Sequence, residues 1–121
     1  MKSTTILRQA MVDQMVREGK ITKPWIEHAF RAVPRDLFLP DFPPDRVYKD
    51  EAIVTKWEKG KPISSSSQPS CMAEMLEKLD LGEGLRILEI GTGTGYNAAL
   101  LALLVNAPPQ IFSVDIDCDL A

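Results

Sequence analysis

The stretch that most limits how this chain can fold is Glu89-Ile90-Gly91-Thr92-Gly93-Thr94-Gly95-Tyr96. A short β-type run, Arg86-Ile87-Leu88-Glu89-Ile90, leads into it, and an Ala- and Leu-rich segment from Tyr96 to Val105 leads out. Alternating glycines at such a junction let the backbone turn sharply and approach a ligand with no Cβ in the way. After the break at Asn106-Ala107-Pro108-Pro109, Ile111-Phe112-Ser113-Val114 reads as the next strand. Strand, glycine turn, helix, break and strand make a βαβ unit, so the two strands are expected as parallel neighbours in an α/β fold.

Ahead of this unit the chain reads as helices and loops. Leu7, Met11 and Met15, with Val12 and Val16 beside them, give an amphipathic helix from about Thr5 to Glu18, stopped at Gly19. Arg8, Asp13 and Arg17 fall largely away from that stripe. In a second helix Thr22 can cap and Pro24 suits the first turn, with Trp25, Ile26, Ala29, Phe30 and Val33 as its apolar face. Pro34 ends it, and the proline- and aromatic-rich stretch to Pro44 favours an extended, anchored loop. Val47-Tyr48 and Ala52-Ile53-Val54 are expected as short strands, and Lys56 to Lys61 as a surface turn. A third helix starts near Pro69, with Met72, Met75, Leu76 and Leu79 on its buried face.

The residues around the glycines discriminate between ligands. A dinucleotide fingerprint needs a small residue where Tyr96 stands, so that the helix can pack closely over a pyrophosphate. A phosphate-binding P-loop needs a closing Gly-Lys-Ser/Thr, which is absent from the turn. Glu89 would repel a pyrophosphate but attract a ligand bearing an ammonium and a sulfonium group, as S-adenosyl-L-methionine does. Asp115, about 20 residues on at the end of the next strand, can accept both hydroxyls of a ribose, with Asp117 the competing candidate.

Composition narrows the class. The chain has 121 residues, 45% hydrophobic and 26% charged, which suits one globular domain. A net charge of −3 offers no electrostatic lure to nucleic acid or an anionic membrane, and no apolar run approaches a bilayer span. Met1 to Arg8 has no apolar core followed by a cleavage site. Cys71 and Cys118 are far apart, in no metal-ligand spacing, and are expected as reduced packing residues. The reading is therefore cytoplasmic, without metal, nucleic acid or membrane. His28, the sole histidine, has no acid or nucleophile spaced to support it and is expected at the surface.

An acidic residue followed by alternating glycines resembles the first motif of class I S-adenosyl-L-methionine (SAM) methyltransferases. Val33-Pro34-Arg35-Asp36-Leu37-Phe38-Leu39-Pro40, Tyr48-Lys49-Asp50 and Ser67-Gln68-Pro69 resemble the N-terminal signature of protein-L-isoaspartate O-methyltransferases, in that family's order. The resemblance implies a Rossmann-like fold, of which this chain would hold the N-terminal helices (1–80) and the SAM-binding βαβ start (81–121). It implies that Glu89, Gly91 and Gly93 line the methionine part of SAM, that Asp115 holds its ribose, and that Thr92 and Gly95 also belong to the cofactor site. It also implies that Ser67 stands near the transferred methyl and the substrate carboxylate. A serine run by itself suggests a linker, but a hydroxyl just ahead of Pro69 and a helix start suits carboxylate binding. An isoaspartyl carboxylate, with a reference pKa near 4, is already ionised at neutral pH and needs no general base. The site has to supply orientation and exclusion of water.

Two features depart from the family pattern. Ser65 and Ser66 occupy places where the family usually has Thr-Ile. This leaves two acceptors open, an isoaspartyl protein and a carboxylate on a dedicated peptide. The sequence also stops at Ala121, just after the second strand of a larger sheet, so an incomplete module of marginal independent stability is expected, with a C-terminal half as one partner. A non-catalytic SAM-binding or interaction module is the alternative, and a nicotinamide-dependent oxidoreductase is disfavoured by Tyr96.

Overall fold

The computed structural model describes residues 3–105 and 110–119. Ser3 opens α1 (Thr4–Arg17), its hydroxyl accepting the Ile6 N–H at 3.2 Å and so satisfying one donor that a helix start leaves free. Met11, Val12 and Met15 turn inward as their spacing predicts, while Val16 comes to the surface. Gly19, at φ +73°, reverses the chain after the helix.

In α2 (Pro24–Ala32), Ile26, Ala29 and Phe30 are buried. Arg31 ties α2 to α1 through Asp13 at 2.7 Å and pairs with Glu27 at 3.0 Å within its own helix. Trp25 does not join the buried face. It is 53% exposed at the margin of the stripe, with the Lys23 ammonium 5.8 Å from its ring centroid. Thr22 does not cap the helix with its own side chain either. The carboxylate of Glu77, on a later helix, accepts the N–H groups of Thr22 and Lys23 at 2.7 and 3.0 Å and the Thr22 hydroxyl at 2.8 Å.

Burial pushes the Glu77 carboxyl up, but the Lys23 and Thr22 donors outweigh it and the net shift is downward. A lowered folded pKa means that the cap stabilises above the ordinary carboxylate value and is lost as pH falls through the folded value. Glu77→Gln is therefore expected to cost about 1 kcal/mol at neutral pH and less at an acid pH below the ordinary carboxylate value. Urea unfolding at the two pH values checks this, and an equal cost at both would rule out the charged cap.

Between Pro34 and Pro44 the chain is not uniformly extended: Arg35–Phe38 forms a 3₁₀ turn. Pro44 then opens α3 (Pro44–Val47) with φ preset for a helix, so Val47 completes a helical turn instead of the expected strand. The buried Tyr48 follows and donates its hydroxyl to the Asp36 carboxylate.

The segment expected as a surface turn is mostly strand. β1 (Ile53–Glu58) and β2 (Lys61–Ser66) pair antiparallel from Ile53↔Ser66 to Glu58↔Lys61, leaving only Lys59 and Gly60 as the turn. Both turn residues have positive φ (+51° and +75°), the two-residue geometry whose twist matches a hairpin. Ser64, Ser65 and Ser66 thus belong to a strand, not to a linker.

α4 (Pro69–Lys78) buries Met72, Ala73 and Leu76, and Asp50 accepts the Ser70 N–H at 2.8 Å to hold its first turn. Met75 and Leu79, expected on the same face, are each 57% exposed. The buried stripe is narrower than the apolar spacing suggests, and Leu79 lies past the last helical residue.

β3 (Arg86–Ile90) and β4 (Gln110–Val114) are parallel and in register from Arg86↔Gln110 to Ile90↔Val114, with α5 (Tyr96–Val105) between them in sequence. The βαβ expectation holds, and the second strand starts one residue earlier than expected. The break from Asn106 to Pro109 lies outside the described residues. Tyr96, Leu100, Leu101 and Leu104 join Phe30, Leu39, Val47 and Met72 in one core cluster, so the N-terminal helices and the βαβ unit share a core. The other face of the sheet, with Leu88, Ile90, Phe112 and Val114, is exposed, Ile90 to 83%. Parallel strands ordinarily bury both faces.

Among the described residues no helix is long and apolar enough to cross a membrane. Cys71 and Cys118 are free but exposed, so they are not the packing residues expected. His28 is exposed, as its isolation suggested.

Candidate SAM site around the glycine loop

The end of β3 places Glu89 on the inner, half-buried side of the sheet. Its two carboxylate oxygens are each fixed at 2.6 Å, one by Asn97 Nδ2 in the first turn of α5 and the other by the Ser113 hydroxyl of β4. Ser113 spends its one proton on Glu89, so the Thr92 hydroxyl, 2.7 Å away, donates to Ser113. Thr92, Ser113, Glu89 and Asn97 thus form one directed network at the mouth of the βαβ unit. Asn97 and Ser113 were missed in the sequence because short polar residues in a helix turn and a strand carry no ligand pattern of their own.

Gly91, Gly93 and Gly95 all take positive φ (+95°, +55° and +96°), which an L side chain resists. A Cβ at Gly91 or Gly93 would meet nothing within 4 Å, so the loop leaves open space there. The loop amides face inward. Gly91 and Thr92 donate to Val114 O at 2.7 and 3.1 Å, Gly93 to Asp115 Oδ2 at 2.9 Å, and Gly95 to Thr92 O at 3.1 Å. A phosphate cradle needs such donors free, so this loop is poorly suited to a pyrophosphate.

Tyr96 explains the absence of a small residue after the loop. Its ring is buried against Phe30 (centroids 6.3 Å apart) and Phe38 (5.9 Å), and burial pushes its hydroxyl well above the ordinary phenol range. The position serves the core that joins α5 to the N-terminal helices.

Asp115 follows β4. Its Oδ1 accepts the Asp117 N–H and its Oδ2 the Gly93 N–H, both at 2.9 Å, and these donors, Asp117 first, hold its carboxyl below the usual value. Each oxygen keeps acceptor capacity for a further hydroxyl. Asp117 is engaged elsewhere, pairing with Lys56 of β1, whose ammonium also lies 3.5 Å from Asp119. Of the two candidates, Asp115 is the carboxylate anchored to the glycine loop.

Two clefts meet at that loop. One, about 290 Å³, runs from Ser65–Ser67 and Met75 across Glu89 and the glycines to Asn97. The other, about 470 Å³, lies between the β1–β2 hairpin and Asp115 and Asp117. They share Ser65, Gly91 and Gly93, so the structure brings Ser67, Glu89, the glycine loop and Asp115 around one groove. The start of α4 contributes less than expected to binding a carboxylate, because the Ser70 amide is already taken by Asp50.

The family model for protein-L-isoaspartate(D-aspartate) O-methyltransferase matches residues 6–121. The chain belongs to this family. A protein-L-isoaspartate O-methyltransferase of Thermotoga maritima is 41% identical over 100 residues, covering 79% of this chain and 31% of that protein. One from a Picosynechococcus strain is 36% identical over 118 residues, covering 98% of this chain and 50% of the relative. The chain thus spans about a third to a half of the length of the curated relatives it matches. A solved protein-L-isoaspartate O-methyltransferase superposes with a TM-score of 0.80 at 36% identity, over 93% of this chain and 35% of that one. A Plasmodium falciparum structure named for the same activity, in complex with S-adenosyl-L-homocysteine, gives 0.78 at 19% identity over 93% of this chain and 50% of its own, a likeness of fold. The matched fold is the Rossmann-like methyltransferase fold that the resemblance implied.

Proposed function

We propose that the groove holds S-adenosyl-L-methionine and that the activity is methyl transfer to a protein or peptide carboxylate, an isoaspartyl side chain first among them. The observation that carries this reading is Glu89, a carboxylate fixed by Asn97 and Ser113 in the same cleft that Ser67 borders. The residues fit the cofactor. Glu89 would face its ammonium group, the open space at Gly91 and Gly93 would take the methionine part, with Thr92 and Gly95 beside it in the same cleft, and Asp115 would accept the ribose hydroxyls. When bound, SAM supplies an electrophilic methyl group on a sulfonium. The acceptor carboxylate is ionised near neutral pH, so the task left to Ser67 is to hold it in line while the cleft walls exclude water.

A second reading, cofactor binding without turnover by this chain, is favoured by the uncovered apolar face of the β3–β4 sheet. A cytoplasmic setting accords with the free, exposed thiols of Cys71 and Cys118, and an isoaspartyl acceptor would make the activity one of protein repair. Titration calorimetry separates the cofactor readings: the chain is expected to bind SAM saturably and to give no heat with NAD. Asp115→Ala is expected to weaken SAM binding by about 1–3 kcal/mol, with Asp117→Ala near neutral. NAD binding, or unchanged affinity in Asp115→Ala, would remove the corresponding assignment.

A further inference from the structure

Arg35 is the largest fully buried side chain among the described residues, at 0% exposure, and no carboxylate among them lies within ion-pair distance of it. A buried guanidinium without a counter-charge is costly, so its hydrogen-bond partners show what it organises. One terminal nitrogen donates to Val47 O at 2.7 Å and to Lys49 O at 3.5 Å. The other donates to Ser67 O at 3.2 Å and, more weakly, to Ser66 Oγ and Glu51 O, both at 3.4 Å. The guanidinium carbon also stands 5.7 Å from the centroid of Tyr96, the residue that closes the glycine loop. One planar fork therefore joins the segment after α3, the end of β2 and the start of α5. Ser66, Ser67 and Tyr96 all border the cleft that contains Glu89.

We propose that Arg35 is a positioning residue for the carboxylate end of this cleft, fixing the backbone of Ser67 so that its hydroxyl meets the substrate carboxylate at a set place beside the glycine loop. The inference rests on the methyltransferase reading and extends it to a residue outside the cofactor contacts. Only a rigid fork spans these carbonyls, whereas a lysine ammonium supplies charge at one point.

The test is a double-mutant cycle on the full chain, reading the affinity of an isoaspartyl peptide at saturating S-adenosyl-L-homocysteine. R35K keeps the charge and most of the stem, and is expected to weaken the peptide about tenfold while leaving the S-adenosyl-L-homocysteine affinity within about twofold. Adding Ser67→Ala to R35K is expected to cost little more, because both changes remove the same contact. Losses that multiply, or equal losses of cofactor and peptide, would overturn the proposal and leave Arg35 as core support alone. If R35K does not fold, Ser66→Ala carries the same cycle, with a smaller loss of about threefold expected. A wild-type chain that binds S-adenosyl-L-homocysteine but no isoaspartyl peptide overturns this inference alone. One that binds neither defeats the cofactor reading on which it rests.

Discussion

Tyr96→Ala is expected to destabilise the chain by about 3–5 kcal/mol, whereas Tyr96→Phe should leave stability unchanged or raise it. The ring fills the space between Phe30, Phe38 and the Arg35 guanidinium, and is buried to the same degree as the apolar core. Truncation removes that packing and leaves a cavity where α5 meets the N-terminal helices. The hydroxyl is a different matter. It is buried with no hydrogen-bond partner among the described residues, so deleting it relieves an unsatisfied polar group while the phenyl ring keeps its contacts. Urea unfolding of the three chains decides the point. If Tyr96→Ala unfolds at the wild-type midpoint, the ring is not part of the core. A large loss in Tyr96→Phe would mean that the hydroxyl has a partner. Tyr96→Ala is also not expected to gain NAD binding, because the Gly91 and Thr92 amides remain bonded to Val114, Gly93 to Asp115 and Gly95 to Thr92.

Glu89→Gln is expected to weaken SAM binding by about 2–3 kcal/mol, roughly thirty- to a hundredfold or somewhat more. The substitution keeps the length of the side chain but removes its charge. It also replaces one acceptor oxygen by an NH₂ group, which then faces either the Asn97 amide or the Ser113 hydroxyl. Asn97→Ala should produce a smaller loss in the same direction, since it frees the carboxylate without neutralising it. Calorimetry on chains with unchanged circular dichroism reads both effects. An unaltered SAM affinity in Glu89→Gln would make the carboxylate a purely structural partner of Asn97 and Ser113, and the ammonium contact would have to be sought elsewhere in the groove.

What could be read from the sequence follows from how local each signal is. The helix positions Met11, Val12 and Met15, and Ile26, Ala29 and Phe30, follow the helical period. The glycine turn and the two apolar runs around it define a βαβ unit within 29 residues, from Arg86 to Val114. The hairpin was hidden for the opposite reason. Lys56 to Ser66 holds charges, glycine and serines with no two-residue apolar alternation, and its strands exist because their backbones pair with each other.

The sequence by itself determined the two N-terminal helices, the helix after Pro69, the βαβ unit with the glycine turn that shapes the groove, and the family to which the chain belongs, because each is a matter of short-range spacing. Only the tertiary structure decided which apolar residues are buried. Trp25, Met75 and Leu79 sit near inward-facing neighbours, yet the packed elements do not cover them. It also set Asp115 and Asp117 apart, two residues from each other: the first accepts the Gly93 N–H of the glycine loop, while Lys56 arrives from a strand 61 positions earlier and engages the second. Arg35 shows the same dependence most fully. In the sequence it is one residue of the Val33 to Pro40 signature with no role of its own, and it becomes a buried organiser of the cleft only when carbonyls from Val47, Glu51 and Ser67 converge on it, a juxtaposition that no local pattern encodes.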